Sequence, residues 1–323
     1  MRAMILAAGL GTRLRPLSFV RPKVLTPVAG IPILDFWVWR LSMAGIEAVV
    51  VNAHHLHGQL IAAVKNKNWP IPVHVQVEPA LLGTGGGLAN VLPFFEGQPF
   101  LVVNGDILCD VPLQGLIGQY LNSGAAAALL MHDNPEFNKV AVDAQGRILG
   151  FGNEAGGPPH QDFVNERLAF TGIHVIHPSV LDGFPPGRPG DVLTAYMNLI
   201  RTGEPPLALR MPDFFWREMG SVESYRKLHE ELGGLKENAI FPVPTGKGVV
   251  LDPEAEIAPD AHLRGYISVG RGSRVMNRVE LENTILWNDV EIQPGCKLRN
   301  CIVTDGAVVG GEHESEILTG SRS

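Results

Sequence analysis

The first segment, residues 1–8, carries a short apolar run over 4–8 that stops at a glycine-rich turn. An unbroken apolar run of this length is the pattern of a strand covered on both faces inside a parallel sheet. Further on, the spacing predicts helix over 34–44, strand over 48–52, helix over 58–65, strand over 73–77 and a nearly all-apolar strand over 100–104. Strands that alternate with helices predict an α/β fold with a mainly parallel sheet. Such sheets bind ligands beyond the carboxyl ends of their strands. Three stretches fall there: 9–23, 78–87 and Gly105-Asp106. From about 125 to 220 the pattern is mixed, with strands expected at 125–131, 141–142, 148–151 and 169–176 and a loop at 152–160. Residues 221–232 read as a helix with Ser221 as its N-cap.

After Gly233-Gly234 the period changes. Apolar residues recur every sixth position at Leu251, Ile257, Leu263, Val269, Val275 and Leu281, then slip by one and resume at Leu286, Ile292 and Leu298. Glycine, proline and asparagine fill many positions between them. A period of six fits no helix. It fits a hexapeptide-repeat β-helix, in which each repeat forms one side of a triangular coil and the apolar row of one coil stacks on the next. Two domains are therefore expected: 1–234, with the α/β sheet, and 235–323, a short β-helix.

Composition narrows the function. Lys and Arg number 26 against 33 Asp and Glu, a net charge of −7 over 323 residues. A protein that works by neutralising a nucleic-acid backbone is normally basic, so no nucleic-acid partner is expected. The three cysteines, Cys109, Cys296 and Cys301, form no CxxC. That spacing excludes a zinc cluster and a disulfide framework and fits a reducing compartment. No apolar run reaches the ~18 residues of a membrane span, and the first apolar run is too short for a secretory signal. A cytoplasmic protein with no membrane partner is expected.

Against this acidic background, Arg13, Arg15, Arg21 and Lys23 cluster beside Gly9 and Gly11. Glycines let a backbone approach a bulky anion and offer it N–H donors, so the cluster points to a polyphosphate. It is neither a P-loop nor a dinucleotide fingerprint, because GxxxxGK[ST] is absent and Leu14 stands where GxGxxG needs its third glycine. Asp106 follows an apolar strand in Asn104-Gly105-Asp106, a suitable place for a hard-cation ligand. Glu78 precedes the glycine-rich 83–87 stretch. An ionised carboxylate only accepts hydrogen bonds, which suits the two adjacent donors of a guanine edge better than the single imide N–H of uracil or thymine. His54, His55 and His57 lack an acidic or cysteine partner at ligand spacing and read as loop residues.

The stretch LAAGLGTRLRPLS followed by Arg21-Pro22-Lys23 resembles the signature of the sugar-1-phosphate nucleotidylyltransferases. The resemblance continues through EPALLGTGGGL, VVNGDIL, FTGIHVI and FFWREMGSVESY, over about residues 1–232. It implies a Rossmann-like nucleotide-binding domain, here followed by a left-handed β-helix. It also implies transfer of a nucleotidyl group from a nucleoside triphosphate to a sugar 1-phosphate, with release of pyrophosphate. In that family's terms Arg13 and Lys23 hold the triphosphate, and Ala8, Gly9, Gly11 and Thr12 line the nucleotide. Glu78, Gly83 and Thr84 face the base, and Asn104, Thr171 and Gly172 face the sugar. Asp106 binds Mg²⁺. The family's second metal aspartate, in W-x-D-x-G, is replaced by Glu218 in Trp216-Arg217-Glu218-Met219-Gly220. The family's Glu-Lys-Pro has no counterpart, since Gly152-Asn153-Glu154 stands there; Lys139, Arg167 and Arg217 are the cations available in its place. GTP with mannose 1-phosphate is the leading substrate pair. UTP or dTTP with glucose or N-acetylmuramate 1-phosphate is the alternative, and a weakly catalytic regulatory subunit is the reading from another class. An open β-helix end is a sheet edge, so a homo-oligomer is expected.

Overall fold

The computed structural model describes residues 1–152, 163–234 and 248–320. The loop expected at 152–160 therefore lies, after its first residue, outside the described residues. Packing groups the chain into two compact units: Met1–Leu10 with Trp37–Arg217, and Gly11–Phe36 with Glu218–Ser323.

In the first unit the amino-terminal apolar run forms β1 (Arg2–Leu6). It is followed by β2 (Val49–Ala53), β3 (Val73–Val77) and β4 (Phe100–Asn104). β1 pairs in parallel with β2 on one side and β4 on the other, and β2 pairs in parallel with β3. The spatial order is thus β3-β2-β1-β4. The chain moves outward from β1 to β3, then returns to the opposite side of β1. That reversal puts a topological switch point, the usual ligand crevice of such sheets, between the carboxyl ends of β1 and β4. The centres of β1 and β4 are fully covered, as their apolar runs require.

The second half of the unit is built on antiparallel strands: β5 (Ala127–His132), β6 (Val140–Val142), β7 (Ile148–Phe151) and the long β8 (Glu166–Ile176). β8 joins the halves by pairing with β4, β5 and β6, and β9 (Leu207–Leu209) extends the sheet in parallel beside β5. Helices α1 (Ile33–Met43) and α2 (His57–Lys65) match their expected spans to within a residue or two. Three others, α3 (Gly83–Ala89), α4 (Leu113–Ser123) and α5 (Val192–Thr202), have no counterpart in the sequence reading. The core packs Met4, Val102, Leu129, Met131, Ile148 and Tyr196 with the stacked rings of Phe95 and Phe100.

In the second unit α6 (Val222–Gly234) follows Ser221, whose Oγ accepts from Ser224 N at 3.1 Å, as an N-cap does. Beyond it the six-residue period becomes parallel β-coils. The pairs Leu251↔Val269, Leu263↔Leu281 and Ile257↔Val275 are 18 residues apart; Leu281↔Leu298, Leu286↔Val303 and Ile292↔Val309 are 17 apart. The one-residue slip lies at a corner, where Gly265 and Tyr266 stand opposite the single residue Asn283. The inward row from Val269 to Leu298 is buried, whereas Leu251 at the open end is 41% exposed.

Candidate active site

In the first unit the ends of four neighbouring strands carry a continuous hydrogen-bonded brace. Leu6 lies beside Asn104 in the β1–β4 ladder, and Gly105 N donates to Leu6 O at 2.9 Å. The turns Ala7–Gly9 and Gly105-Asp106 are therefore adjacent at the switch point. Ala8 is buried, Gly9 is exposed and Asp106 is half-buried. On the other side of β1, Asn52 is the penultimate residue of β2, with only 2% of its surface exposed. Its Oδ1 accepts from Ala7 N at 2.6 Å and its Nδ2 donates to Glu78 Oε1 at 2.7 Å. The second oxygen of Glu78 accepts from Leu82 N at 3.2 Å. Glu78 is itself 2% exposed, so both its oxygens are engaged inside the unit. The carboxylate expected to face a base instead fixes the turn that leads into Gly83. Asn52 was missed by the sequence reading, although a lone amide closing the buried run VVVN is the signal that could have revealed it.

Glycine-rich residues 83–87 open a short helix. A Cβ on Gly86 would stand 2.2 Å from Arg188 O, and one on Gly83 2.6 Å from Gly190 O. The close approach of the 188–190 backbone requires glycine there, against its low helix propensity. Thr84 Oγ1 donates to Asp191 Oδ1 at 3.0 Å and accepts from Val192 N at 2.9 Å, which ties α3 to α5.

The residues expected around the sugar come together in part. Asn104 packs directly on Gly172, whose φ is +82°; a Cβ there would lie 2.5 Å from Asn104 Nδ2. Thr171 turns inward: its Oγ1 donates to Leu130 O at 2.9 Å and accepts from Ile173 N, closing an irregularity in β8. Its carbonyl accepts from Trp216 Nε1 at 2.9 Å. Of the cations proposed for the sugar phosphate, Arg167 donates to Gly152 O at 3.2 Å, Arg217 lies over the Phe215 ring at 5.3 Å, and Lys139 is exposed. Asn153 and Glu154 lie outside the described residues. His54 and His55 lie in a loop, as expected, whereas His57 opens α2. His54 Nδ1 donates to Glu78 O at 2.8 Å and His57 Nδ1 to His54 O at 3.0 Å. Among the described residues no three His, Cys, Asp or Glu side chains are grouped to hold a metal.

The second unit holds the remainder of the amino-terminal motif. Gly11 adopts φ +60° and leads the short helical turn Thr12–Leu14, and Ser18 Oγ closes the loop onto Gly11 O at 2.8 Å. Arg13, 73% exposed, donates to Glu218 Oε1 at 3.2 Å. Gly220 leaves room for that pair, since a Cβ there would lie 2.6 Å from Glu218 Oε1 and 3.2 Å from Arg13 Nη2. Thr12 is exposed, and the partly buried Lys23 begins the turn Lys23–Leu25.

Residues 2–233 match the family model described as nucleotidyl transferase. The chain belongs to the nucleotidyl transferase family. A mannose-1-phosphate guanylyltransferase of Mycobacterium tuberculosis is 29% identical over 300 residues, which cover 91% of this chain and 82% of that protein. An N-acetylmuramate alpha-1-phosphate uridylyltransferase of Neisseria meningitidis is 36% identical over 191 residues, 58% of this chain and 80% of that protein. Among solved structures, HddC from Yersinia pseudotuberculosis complexed with GMP-PN shares the fold with a TM-score of 0.59 at 19% identity, covering 72% of this chain and 99% of that one. The chain is thus an enzyme of the sugar-phosphate nucleotidylyltransferase type. No helix among the described residues is long and apolar enough to cross a membrane.

Proposed function

We propose that the enzyme transfers a guanylyl group from GTP to mannose 1-phosphate and releases pyrophosphate. The observation that carries this pair is the likeness to the guanylyltransferase, which runs through 91% of the chain and into the β-coils. The reaction is an in-line displacement at the α-phosphorus. Its nucleophile, a sugar-phosphate oxygen, is already ionised near neutral pH, so no general base is needed. The protein must instead hold two mutually repelling anions and neutralise the leaving group.

In this reading the exposed Arg13 and the partly buried Lys23 bind the triphosphate and take up charge on the departing pyrophosphate. Backbone groups of Ala8, Gly9, Gly11 and Thr12 line the nucleotide. Asn104 and the Gly172 backbone meet the sugar. Glu78 acts on the base through the backbone it fixes at Leu82, next to Gly83 and Thr84. Asp106 in the first unit and Glu218 in the second are each a carboxylate, the donor type this reading assigns to the metal. Hard oxygen donors fit Mg²⁺, which takes one or two carboxylates and completes its shell with phosphate oxygens and waters. When bound, the ion supplies further charge neutralisation at the phosphates. The 36% identity to a uridylyltransferase supports UTP with N-acetylmuramate 1-phosphate as the second reading.

A screen of pyrophosphate release with GTP, UTP, dTTP and ATP against mannose, glucose and N-acetylmuramate 1-phosphates tests the choice. GTP with mannose 1-phosphate is expected to give the highest kcat/KM. Highest turnover with a pyrimidine triphosphate overturns the substrate pair, and no release with any pair overturns the catalytic reading.

A further inference from the structure

Of the four cations in the amino-terminal motif, Arg21 is used in an unexpected way. Its Nε donates to Asp305 Oδ2 and its Nη2 to Asp305 Oδ1, both at 2.6 Å. Asp305 belongs to the β-helix, in the turn between the strands Ile302–Val303 and Val308–Val309. Asn288 N, one coil away, donates to the same Oδ1 at 3.0 Å, so the carboxylate is itself held in place. The guanidinium lies 5.4 Å from the centre of the Trp287 ring. The side chains are 17% and 27% exposed, so this is a well-covered ion pair.

The pair is not the only tether. Trp287 Nε1 donates to Tyr225 Oη at 3.0 Å, and that hydroxyl donates to Pro27 O at 2.6 Å. Ala29 N donates to His229 Nε2 at 3.2 Å. Residues 21, 27 and 29 are thus attached in turn to the β-helix, to α6 and the β-helix together, and to α6. Lys23 lies within this fastened segment. It is two residues from Arg21, across a proline whose φ of −59° is fixed by its ring, and it starts the turn Lys23–Leu25. The third arm of Arg21, Nη1, donates to Leu25 O at the end of that turn, at 3.4 Å. One guanidinium therefore holds the backbone on both sides of Lys23.

We propose that Asp305 is a positioning residue for nucleotide binding: through Arg21 it sets where Lys23 presents its ammonium, which makes the β-helix part of the triphosphate site. The inference rests on the reading of Lys23 as a triphosphate ligand. A bidentate arginine–carboxylate fork fixes orientation as well as distance, which a single bond does not. Phosphoryl transfer depends on such placement, and a misplacement of ~1 Å costs on the order of 100-fold.

The test is steady-state kinetics on the full-length enzyme with Asp305→Asn, which keeps the shape and loses the charge, and with Arg21→Lys, which keeps the charge and loses the fork. Calorimetric binding of the nucleoside triphosphate alone runs in parallel. Both variants are expected to raise KM and the dissociation constant for the triphosphate about 10-fold or more, with the sugar 1-phosphate KM within about 2-fold of wild type. The paired variant Arg21→Met with Asp305→Leu removes both charges and is expected to regain the melting temperature without regaining triphosphate affinity. Unchanged triphosphate KM in the single variants overturns the proposal. So does a loss confined to kcat with both KM values unchanged, or a paired variant that recovers affinity together with melting temperature. If neither single variant folds, the paired variant alone decides. A wild-type enzyme that turns over no substrate pair refutes instead the parent reading, and the calorimetric titration still reports on Asp305.

Discussion

Replacing Glu218 by glutamine separates a structural from a chemical use of the residue that stands where the family carries aspartate. Glu218 Oε1 accepts from Arg13 Nη2 at 3.2 Å, and the two side chains are 29% and 73% exposed. An ion pair so open to water is worth ~0.2–1 kcal/mol. For a chain of this size a loss of ~1 kcal/mol moves the melting temperature by about 2–4 °C at most. Glutamine keeps the volume and one acceptor oxygen, so the fold is expected to be unchanged. The chemical cost is larger. A group that neutralises charge in the transition state is worth about 3–4 kcal/mol, or 10²–10³ in rate. Glu218→Gln is therefore expected to keep its melting temperature within a few degrees and to lose at least ~100-fold in kcat/KM. Half-saturating Mg²⁺ should rise as well.

Aspartate at 218 should fall between the two. It restores the family residue, but Gly220 leaves its space to the longer side chain, since a Cβ there would lie 2.6 Å from Glu218 Oε1. The assay is initial pyrophosphate release across an Mg²⁺ titration, beside differential scanning calorimetry. A Glu218→Gln enzyme within about 3-fold of wild-type kcat/KM, with the same Mg²⁺ dependence, would refute the metal role. It would leave Glu218 as a weak counter-ion for Arg13.

Three further outcomes follow from the same structure. Asp106→Asn should fold normally by circular dichroism yet lose more than ~100-fold in Mg²⁺-dependent turnover, and near-normal rates would remove Asp106 from the site. Tyr225→Phe deletes a buried hydroxyl that serves Pro27 O and Trp287 Nε1. Leaving both groups unpaired should cost ~2–4 kcal/mol in urea unfolding of the second unit, so an unmoved midpoint would show that water or a shifted neighbour replaces the hydroxyl. Burial holds His229 neutral, its pKa pushed down to about 4, against ~6.5 in an unfolded chain. The unfolded state therefore binds the extra proton: His229 contributes fully above pH ~6.5, and that contribution is lost as pH falls toward 4, by up to ~3 kcal/mol. His229→Leu should flatten the stability–pH slope between pH 5 and 6.5 by about one proton, and an identical slope would refute the assignment.

Much of the scaffold was legible because its signals are local. The runs that became β1 and β4 are short and almost wholly apolar, and a buried strand satisfies them. The six-residue period survived its own interruption, since the slip at Leu281–Leu286 merely shortens one corner against Gly265-Tyr266. What the pattern concealed depended on contacts distant in sequence. The helix over 83–89 was not expected because glycine disfavours helix, and the glycines are there because the backbone at 188–190 approaches too closely for a side chain at Gly83 and Gly86. Glu78 read as a free acceptor because its partner Asn52 lies 26 residues earlier. Arg21 read as one more phosphate cation, and nothing within 280 residues of it hints at Asp305.

That last reassignment separates the motif's charges by how exchangeable their partners are. Arg13, Arg15, Arg21 and Lys23 fall within 11 residues of one another, and four such charges repel unless each is compensated. Arg15 stays exposed, with its guanidinium 4.9 Å from the Phe19 ring centre. Arg13 has an anionic partner, but in water, by a single bond at 3.2 Å, so an incoming phosphate displaces Glu218 at a cost below ~1 kcal/mol. Arg21 has a bidentate partner in a part-buried setting, 17% and 27% exposed, so its removal costs more than the loss of an open surface pair. A ligand binding with ordinary affinity has every reason to recruit the first arginine and none to disturb the second. Exposure and the number of bonds to the partner therefore distinguish the cation that meets substrate from the cation that holds the loop in register, a distinction that a count of positive residues in the motif cannot make.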